Sequence, residues 1–453
     1  KGELWAILCG VYRISLVYMA KRRQTKPSKP KSNTPWILLA IGGALLCVGA
    51  FYFLNSSKNS DEDIVAEGAS ILELSKIKAV KVFVENSGSM DGYVRAVNSQ
   101  LKSDLNALVS GISILKNPSA SGSLVDTIEL NYINSELIPI RSSISRFTES
   151  LSVSAFKEYG GSRASTSLQD LLERVQQATG SQDVSILVSD MILDLASGQS
   201  AESVSTNIET TLRRHLMNRP DWAIAVWRML SDFDGKYYEV GTVADFKGKR
   251  PYYIIMMGNR AQLYSILSKG QLPDNLSFYK NRTHQMTLEP ASNTPKYSIN
   301  PNAISGSIML DRSEKYTIRE ARSGKLPSGE RLLSFELKMS LPQVLQNESR
   351  LLDANAYDVS PNSYHLSKVR RGNDGAIYLR LESPDVVLGD VMVSLKQAMP
   401  QWVGSVHAEE NTDILNPEKR NQTYGIKYIL EGLRRPYEST AAKLFTLKIR
   451  LKK

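Results

Sequence analysis

Cysteine and histidine are scarce in this chain, and their positions exclude several kinds of site. Among its 453 residues are two cysteines, Cys9 and Cys47, and four histidines that are scattered along the chain. Residues 48–453 contain no cysteine, so we exclude a disulfide framework and a cysteine-based zinc site from that region. A large region without disulfides must be stabilised by the size of its core.

A large excess of basic over acidic residues is also missing from most of the chain, although the net charge is +10. Residues 1–35 carry eight lysines and arginines against Glu3 alone, which gives +7 and leaves only +3 for the rest. The charge is therefore a property of the N-terminal tail. Basic residues are not interleaved with aromatic ones in the manner of a nucleic-acid recognition motif. We predict no nucleic-acid partner.

Charged residues are absent from residues 36–54, which read WILLAIGGALLCVGAFYFL. As a helix, this segment would span roughly 28 Å, close to the hydrocarbon thickness of a bilayer. Six lysines and arginines precede it within residues 21–31, and acidic residues follow from Asp61 onward. This asymmetry predicts a single transmembrane helix with a cytoplasmic N-terminus and the bulk of the chain periplasmic or extracellular.

Two further interpretations of the N-terminal region stay open. Val48, Gly49 and Ala50 would suit the cleavage site of a signal peptide, in which case the apolar segment would be removed. The chain begins with Lys1, and we hypothesise that Met19 is the natural start because a basic leader follows it.

From residue 76 to about 270, apolar runs of strand length alternate with amphipathic helical spacing. Ala79–Val84 and Val184–Val188 are runs of the kind buried in a parallel sheet. Val204, Ile208 and Leu212 recur at helical spacing. We therefore predict an α/β fold with a doubly wound, mainly parallel sheet over 76–270.

The pattern changes in residues 271–453, where short runs of alternating hydrophobicity predict a β-rich accessory domain. Phe445 and Leu447 alternate with Thr446 and Lys448, which is typical of a half-buried strand. The predicted organisation is a basic tail (1–35), a transmembrane helix (36–54), a linker (55–75), an α/β domain (76–270) and a β-rich domain (271–453).

Oxygen-bearing side chains lie in three loops of the α/β region. Glu85, Ser87 and Ser89 follow the first strand, Thr166 precedes a helix, and Asp190 follows Val184–Val188. In doubly wound sheets, ligands bind at the carboxyl ends of the strands, so these loops are expected to converge. A hard cation such as Mg²⁺ prefers oxygen ligands of these types.

The order and spacing of these residues resemble the von Willebrand factor A (VWA) family over residues 76–270. Its metal-ion-dependent adhesion site uses D-x-S-x-S on the first loop, a threonine on the second and an aspartate on the third. The resemblance implies a Mg²⁺ site, or a Mn²⁺ or Ca²⁺ site, with the ligands Glu85, Ser87, Ser89, Thr166 and Asp190. It also implies that a protein partner completes the coordination with an acidic residue.

The chain departs from the family pattern twice, since Glu85 stands in place of the first aspartate and Met191 in place of a glycine. We predict a binding protein and not an enzyme. A structural docking subunit of an envelope complex with a degenerate metal site is the alternative. An envelope hydrolase is a weaker one, because Ser154 and Lys157 match S-x-x-K without its companion motifs. Asp91 is a further candidate ligand, with a role as a turn residue as the alternative.

Overall fold

The strands in the computed structural model belong to four sheets. The model describes residues 74–116, 123–164, 167–239, 242–268, 271–272, 276, 284–341 and 344–453. The strands are β1 Ile77–Glu85, β2 Val125–Ile133, β3 Leu137–Pro139, β4 Asp183–Ser189, β5 Trp222–Glu239, β6 Thr242–Asn259, β7 Gln285–Leu288, β8 Tyr297–Ile299, β9 Ser307–Leu310, β10 Thr317–Arg322, β11 Gly324–Lys325, β12 Arg331–Met339, β13 Tyr357–Ser360, β14 His365–Arg371, β15 Ile377–Ser383, β16 Gly389–Lys396, β17 His407–Ala408, β18 Thr423–Tyr424 and β19 Lys443–Leu451.

The helices lie mostly on the two faces of the largest sheet. The α-helices are α1 Asp91–Arg95, α2 Gln100–Lys116, α3 Ile144–Glu149, α4 Val153–Glu158, α5 Leu168–Ala178, α6 Ala201–Asn218, α7 Arg260–Leu267, α8 Glu348–Leu351, α9 Gln401–Val406 and α10 Ile426–Ala441. Short 3-10 turns occupy Gly88–Met90, Ala354–Ala356, Asn411–Leu415 and Pro417–Lys419.

The largest sheet has seven strands in the order β3-β2-β1-β4-β6-β5-β7. β1 pairs in parallel with both β2 and β4. The pairs β2–β3, β4–β6, β5–β6 and β5–β7 are antiparallel. Parallel pairing is therefore confined to three strands at the centre.

The predicted fold class is wrong, because the sheet is mixed and not mainly parallel. A parallel crossover needs a connection of a dozen or more residues, usually a helix. Residues 231–239 and 242–251 are strand, and β5 pairs antiparallel with β6, so these two strands are not joined as a parallel crossover unit. No helix in the part of the chain described here is long and apolar enough to cross a membrane. The segment 36–54 lies outside the described residues. The fold is a mixed α/β arrangement of several sheets with a β-rich C-terminal region.

β5 and β6 form a hairpin that runs beyond the sheet. The two strands pair from Trp222 and Asn259 to Glu239 and Thr242. β4 pairs with β6 only as far as Tyr253, and β7 pairs with β5 only as far as Trp227. Most of the remainder, residues 230–239 and 242–252, is called the hairpin arm below. Ten residues of strand extend roughly 33 Å, so the arm can reach across the carboxyl ends of β1 and β4.

The C-terminal region contributes to both the β-rich layers and the central sheet. Two five-stranded sheets, β13-β16-β19-β10-β9 and the sheet of β11, β12, β15, β14 and β8, enclose a common apolar core. Phe445 and Leu447 are buried in it and Lys448 is exposed, which confirms the alternation predicted for β19. β7 completes the edge of the seven-stranded sheet.

Helix α10 packs its apolar stripe against α6 on one face of the seven-stranded sheet. Ile429 and Leu433, one turn apart, share a core cluster with Ile208 and Leu212 of α6. Gly432 lets the helices approach closely, since a Cβ atom there would lie 2.6 Å from the carbonyl oxygen of Ser205.

Candidate metal site

Two neighbouring parallel strands bring the first and third loops together. β1 ends at Glu85, β4 ends at Ser189, and Val84 pairs with Val188 in the last register position before both loops. Asp190 therefore leaves the sheet beside Glu85. The first and third of the three loops that were predicted to converge therefore lie together at this edge of the sheet.

Glu85 and Asp190 form a buried pair of acids, with exposed fractions of 5% and 4%. Burial and the charge of Asp190 raise the pKa of Glu85 to about 8, against the opposing effect of hydrogen bonds with Ser189 and Ser87. Burial also raises the pKa of Asp190, against a hydrogen bond with Ser89 and the charge of Arg250. Two carboxylates in one water-poor site need a cation if both are to be ionised.

The two serines lie between these acids. The hydroxyl oxygens of Ser87 and Ser89 are 3.0 Å apart. Ser87 hydrogen-bonds with Glu85, and Ser89 hydrogen-bonds with Asp190. Four of the five predicted ligands thus belong to one cluster of oxygen atoms.

One oxygen of Asp190 is held by the backbone and the other is not. Oδ1 accepts a hydrogen bond of 3.3 Å from the backbone N–H of Ile192. Oδ2 is buried and has no hydrogen-bond partner of good geometry among the described residues. A buried carboxylate oxygen without a partner is costly, and a cation ligand would satisfy it.

Met191 adopts a backbone conformation that glycine favours. Its φ is +54°, although its side chain is fully buried in the core. A non-glycine residue in the left-handed region costs of order 1–3 kcal/mol and persists where packing over-determines it. The turn is fixed from both sides, because the Met191 N–H donates to Ser189 Oγ at 2.9 Å and the Leu193 N–H donates to the Tyr424 carbonyl at 3.2 Å. The strained turn positions Asp190.

Arg163 attaches the second loop to the first. Its Nε donates to the Asn86 carbonyl at 2.6 Å, and the Gly88 N–H donates to the Arg163 carbonyl at 2.9 Å. Arg163 also forms an ion pair with Asp91, the further candidate ligand, which neutralises the Asp91 charge. Thr166, three residues beyond Arg163, lies outside the described residues. Ser167 caps α5 by accepting from the Asp170 N–H.

The cluster has the chemistry that a divalent cation of the Mg²⁺ class requires. It offers two carboxylates and two hydroxyls within a sterically fixed pair of loops. Among the described residues, no three histidine, cysteine, aspartate or glutamate side chains are grouped so that they could hold a metal ion. The residues fit a hard, oxygen-liganded cation.

The S-x-x-K motif lies elsewhere and has a structural role. Ser154 Oγ lies 2.9 Å from Ser152 Oγ, and Ser152 caps the start of α4. Lys157 is exposed. The residues of the motif therefore form the start of a helix.

Sequence reasoning missed two residues of the site, Arg163 and Arg250. Arg163 lies three residues before the predicted ligand Thr166 and could have been found by extending that loop. Arg250 is 60 positions from Asp190, and only the hairpin arm brings it near.

No family model, curated protein or solved structure matches the chain. The resemblance to the VWA family stays a prediction from the loop residues.

Proposed function

We propose that this protein binds a protein partner through a divalent cation held by Glu85, Ser87, Ser89 and Asp190, with Thr166 as a fifth ligand. The cation is Mg²⁺ or a related ion such as Mn²⁺ or Ca²⁺. An acidic side chain of the partner completes the coordination, and no bond is cut. We also propose that residues 74–453 lie outside the cytoplasm. Only the N-terminal sequence supports this part of the proposal.

The observation that carries the proposal is the pair of buried acids with an unsatisfied oxygen. Glu85 and Asp190 stand at the ends of paired strands, Ser87 and Ser89 hydrogen-bond with them, and Asp190 Oδ2 lacks a partner of good geometry among the described residues. A core built for stability alone would place an apolar pair here, because buried acids are costly. Neutral hydroxyl ligands leave a bound ion electron-poor, so it attracts a further carboxylate.

A second candidate function is a docking subunit whose metal site is degenerate. It is favoured by the burial of the site, since Glu85, Ser87 and Asp190 are each less than a tenth exposed. In that case the partner would bind a surface that does not include these residues.

Partner capture with and without metal separates the two candidates. Under the first, EDTA abolishes capture, Mg²⁺ restores it, and Asp190→Ala or Ser87→Ala abolishes it in the presence of Mg²⁺. Capture that is unaffected by EDTA and by both substitutions would favour the docking subunit. Ser154→Ala is the matched control, because Ser154 lies at the start of α4 outside the site.

A further inference from the structure

Asn86 lies in the first loop between the proposed ligands Glu85 and Ser87, and it is fully buried. Its side chain is not part of the ligand cluster. The Asn86 Nδ2 group donates to the Phe156 carbonyl at 3.1 Å, and Oδ1 accepts from Asn134 Nδ2 at 3.1 Å. The first loop is therefore held from outside the cluster by a residue that stands between two of its ligands.

The backbone of Asn86 is held as well. Its N–H donates to the Ile133 carbonyl at 3.1 Å, and its carbonyl accepts from Arg163 Nε at 2.6 Å. Both backbone groups and both side-chain groups of Asn86 thus have partners outside the first loop. A buried polar network in which every member is satisfied is rigid and specifies one arrangement.

Asn134 lies in the turn between β2 and β3 and is also fully buried. Besides its bond to Asn86, its Nδ2 group donates to the Gly160 carbonyl at 3.0 Å. Its Oδ1 accepts from the Glu136 N–H at 3.0 Å, and its own N–H donates to the Glu136 carbonyl at 3.0 Å. One side chain therefore joins the first loop to the segment that leads into the second loop, and its own turn fixes it in place.

The segment that leads into the second loop is bound to the same turn. The Ser162 N–H donates to Ser135 Oγ at 2.7 Å, and the Ser135 N–H donates to the Ser162 carbonyl at 3.4 Å. Gly161 has a φ of +84°, and a Cβ atom there would clash with Asn134 Oδ1. Glycine is therefore required where this segment crosses Asn134. Arg163 follows and binds the Asn86 carbonyl.

We propose that Asn134 is a positioning residue of the metal site, which fixes the separation of the first and second loops by holding Asn86 and the Gly160 backbone together. It acts through Asn86 and is not itself a ligand. Mg²⁺ requires near-ideal octahedral geometry at short distances, whereas Ca²⁺ accepts longer and more variable ones. Loosening the two loops should therefore weaken Mg²⁺ binding more than Ca²⁺ binding. This inference rests on the proposed metal site.

Calorimetric titration of Mg²⁺ and of Ca²⁺ into the full chain and into Asn134→Ala tests the positioning role. Residues that orient metal ligands typically contribute 10–100-fold in affinity. We expect Mg²⁺ affinity to fall by at least about tenfold in Asn134→Ala and Ca²⁺ affinity to fall by a smaller factor. A change in the ratio of the two affinities distinguishes positioning from a general loss of stability, which would not discriminate between the ions.

Gly161→Ala is a second variant, which decides the matter if Asn134→Ala does not fold. Its methyl group displaces the segment from Asn134 without removing a hydrogen-bonding group. We expect the ratio of Mg²⁺ affinity to Ca²⁺ affinity to fall in this variant too.

Asn259→Ala is the matched control. The Asn259 side chain caps α7 by accepting from the Ala261 N–H at 2.8 Å. Because Gly258 pairs with Val184 at the start of β4, Asn259 lies at the end of the sheet opposite the metal site. The control should lower the unfolding temperature in EDTA and leave both affinities unchanged.

The outcomes separate this inference from the metal site itself. Affinities for Mg²⁺ and Ca²⁺ that equal those of the wild type in both loop variants, or that fall by the same factor for both ions, would overturn the positioning role and leave the metal site standing. Absence of binding of either ion to the wild type would overturn the metal site and this inference together.

Discussion

The Nε atom of Arg163 donates a hydrogen bond of 2.6 Å to the carbonyl oxygen of Asn86, which joins the second loop to the first. The same guanidinium pairs with Asp91 and reaches the Ser87 carbonyl at 3.3 Å. Arg163 thus fixes the backbone on which Ser87 is carried.

Replacing Arg163 by lysine should weaken the cation site without removing a ligand. A lysine cannot reproduce the planar, multidentate contacts of the guanidinium group. Residues that orient metal ligands typically contribute 10–100-fold in metal affinity. We expect Mg²⁺ affinity to fall by at least about tenfold in Arg163→Lys, measured by calorimetry. Arg141→Lys, at an exposed position, is the control, and equal losses in both would argue against this role.

Glu85→Gln should separate metal binding from folding. Glutamine keeps the shape of the side chain and its hydrogen bonding to Ser87 and Ser189 but removes the charge. The wild type should gain about 2.7 kcal/mol of stability from Mg²⁺ at 100 times its dissociation constant, and the variant should gain none. Denaturant unfolding with Mg²⁺ and with EDTA measures the Mg²⁺-induced gain in stability of each protein.

In EDTA, Glu85→Gln should be at least as stable as the wild type, because it removes a buried acid beside Asp190. A variant that keeps the full Mg²⁺-induced gain would show that Glu85 is not a ligand.

Glu289 should make stability fall as the pH rises. Its side chain is fully buried, and burial raises its pKa from 4.5 to about 7, against a hydrogen bond from the Leu345 N–H. Between these values the folded protein holds a proton that the unfolded chain has lost. The contribution of Glu289 to the free energy of unfolding is therefore greatest below pH 4.5 and declines as the pH rises through 7. The decline is at most about 3 kcal/mol.

Glu289→Gln should remove that decline, since glutamine does not titrate. Denaturant unfolding at pH 5.5 and pH 8.5 is the measurement, with exposed Glu320→Gln as the control. The wild type should lose stability between the two pH values relative to Glu289→Gln. Parallel pH profiles of the two proteins would refute the assignment.

Gly432→Ala should destabilise the packing of α10 on α6. The new Cβ atom would lie 2.6 Å from the Ser205 carbonyl oxygen, and overpacking of this kind costs about 1–3 kcal/mol. Gly404 of α9 has open space at its Cβ position, so Gly404→Ala should be neutral or stabilising by up to about 1 kcal/mol. If thermal unfolding ranks the two variants in the opposite order, the close helix contact is absent in solution.

Local patterns predicted the strands that carry the site more accurately than they predicted how the strands of the sheet pair. The runs Ala79–Val84 and Val184–Val188 fall within β1 and β4, because β-branched apolar residues mark buried strands by themselves. The convergence of Glu85 with Asp190 followed, since neighbouring parallel strands end at the same edge. Pairing between distant segments leaves no such local mark, and the antiparallel return of β6 and the addition of β7 were missed.

The remainder of the site depends on contacts between residues far apart in sequence. Arg250 lowers the pKa of Asp190 although it is 60 residues away in sequence, and nothing near residue 250 in the sequence indicates this. The positive φ of Met191 could not be predicted either, since methionine rarely adopts it. Met191 stands where the VWA pattern, which the loop residues resemble, has a glycine.

Calorimetric titration of Mg²⁺ into the full chain, beside Asp190→Ala, is the most direct test of the proposed metal site. The account predicts saturable binding of one ion per chain to the wild type and none to the variant. Identical heats of dilution for the two proteins, across Mg²⁺, Mn²⁺ and Ca²⁺, would contradict it.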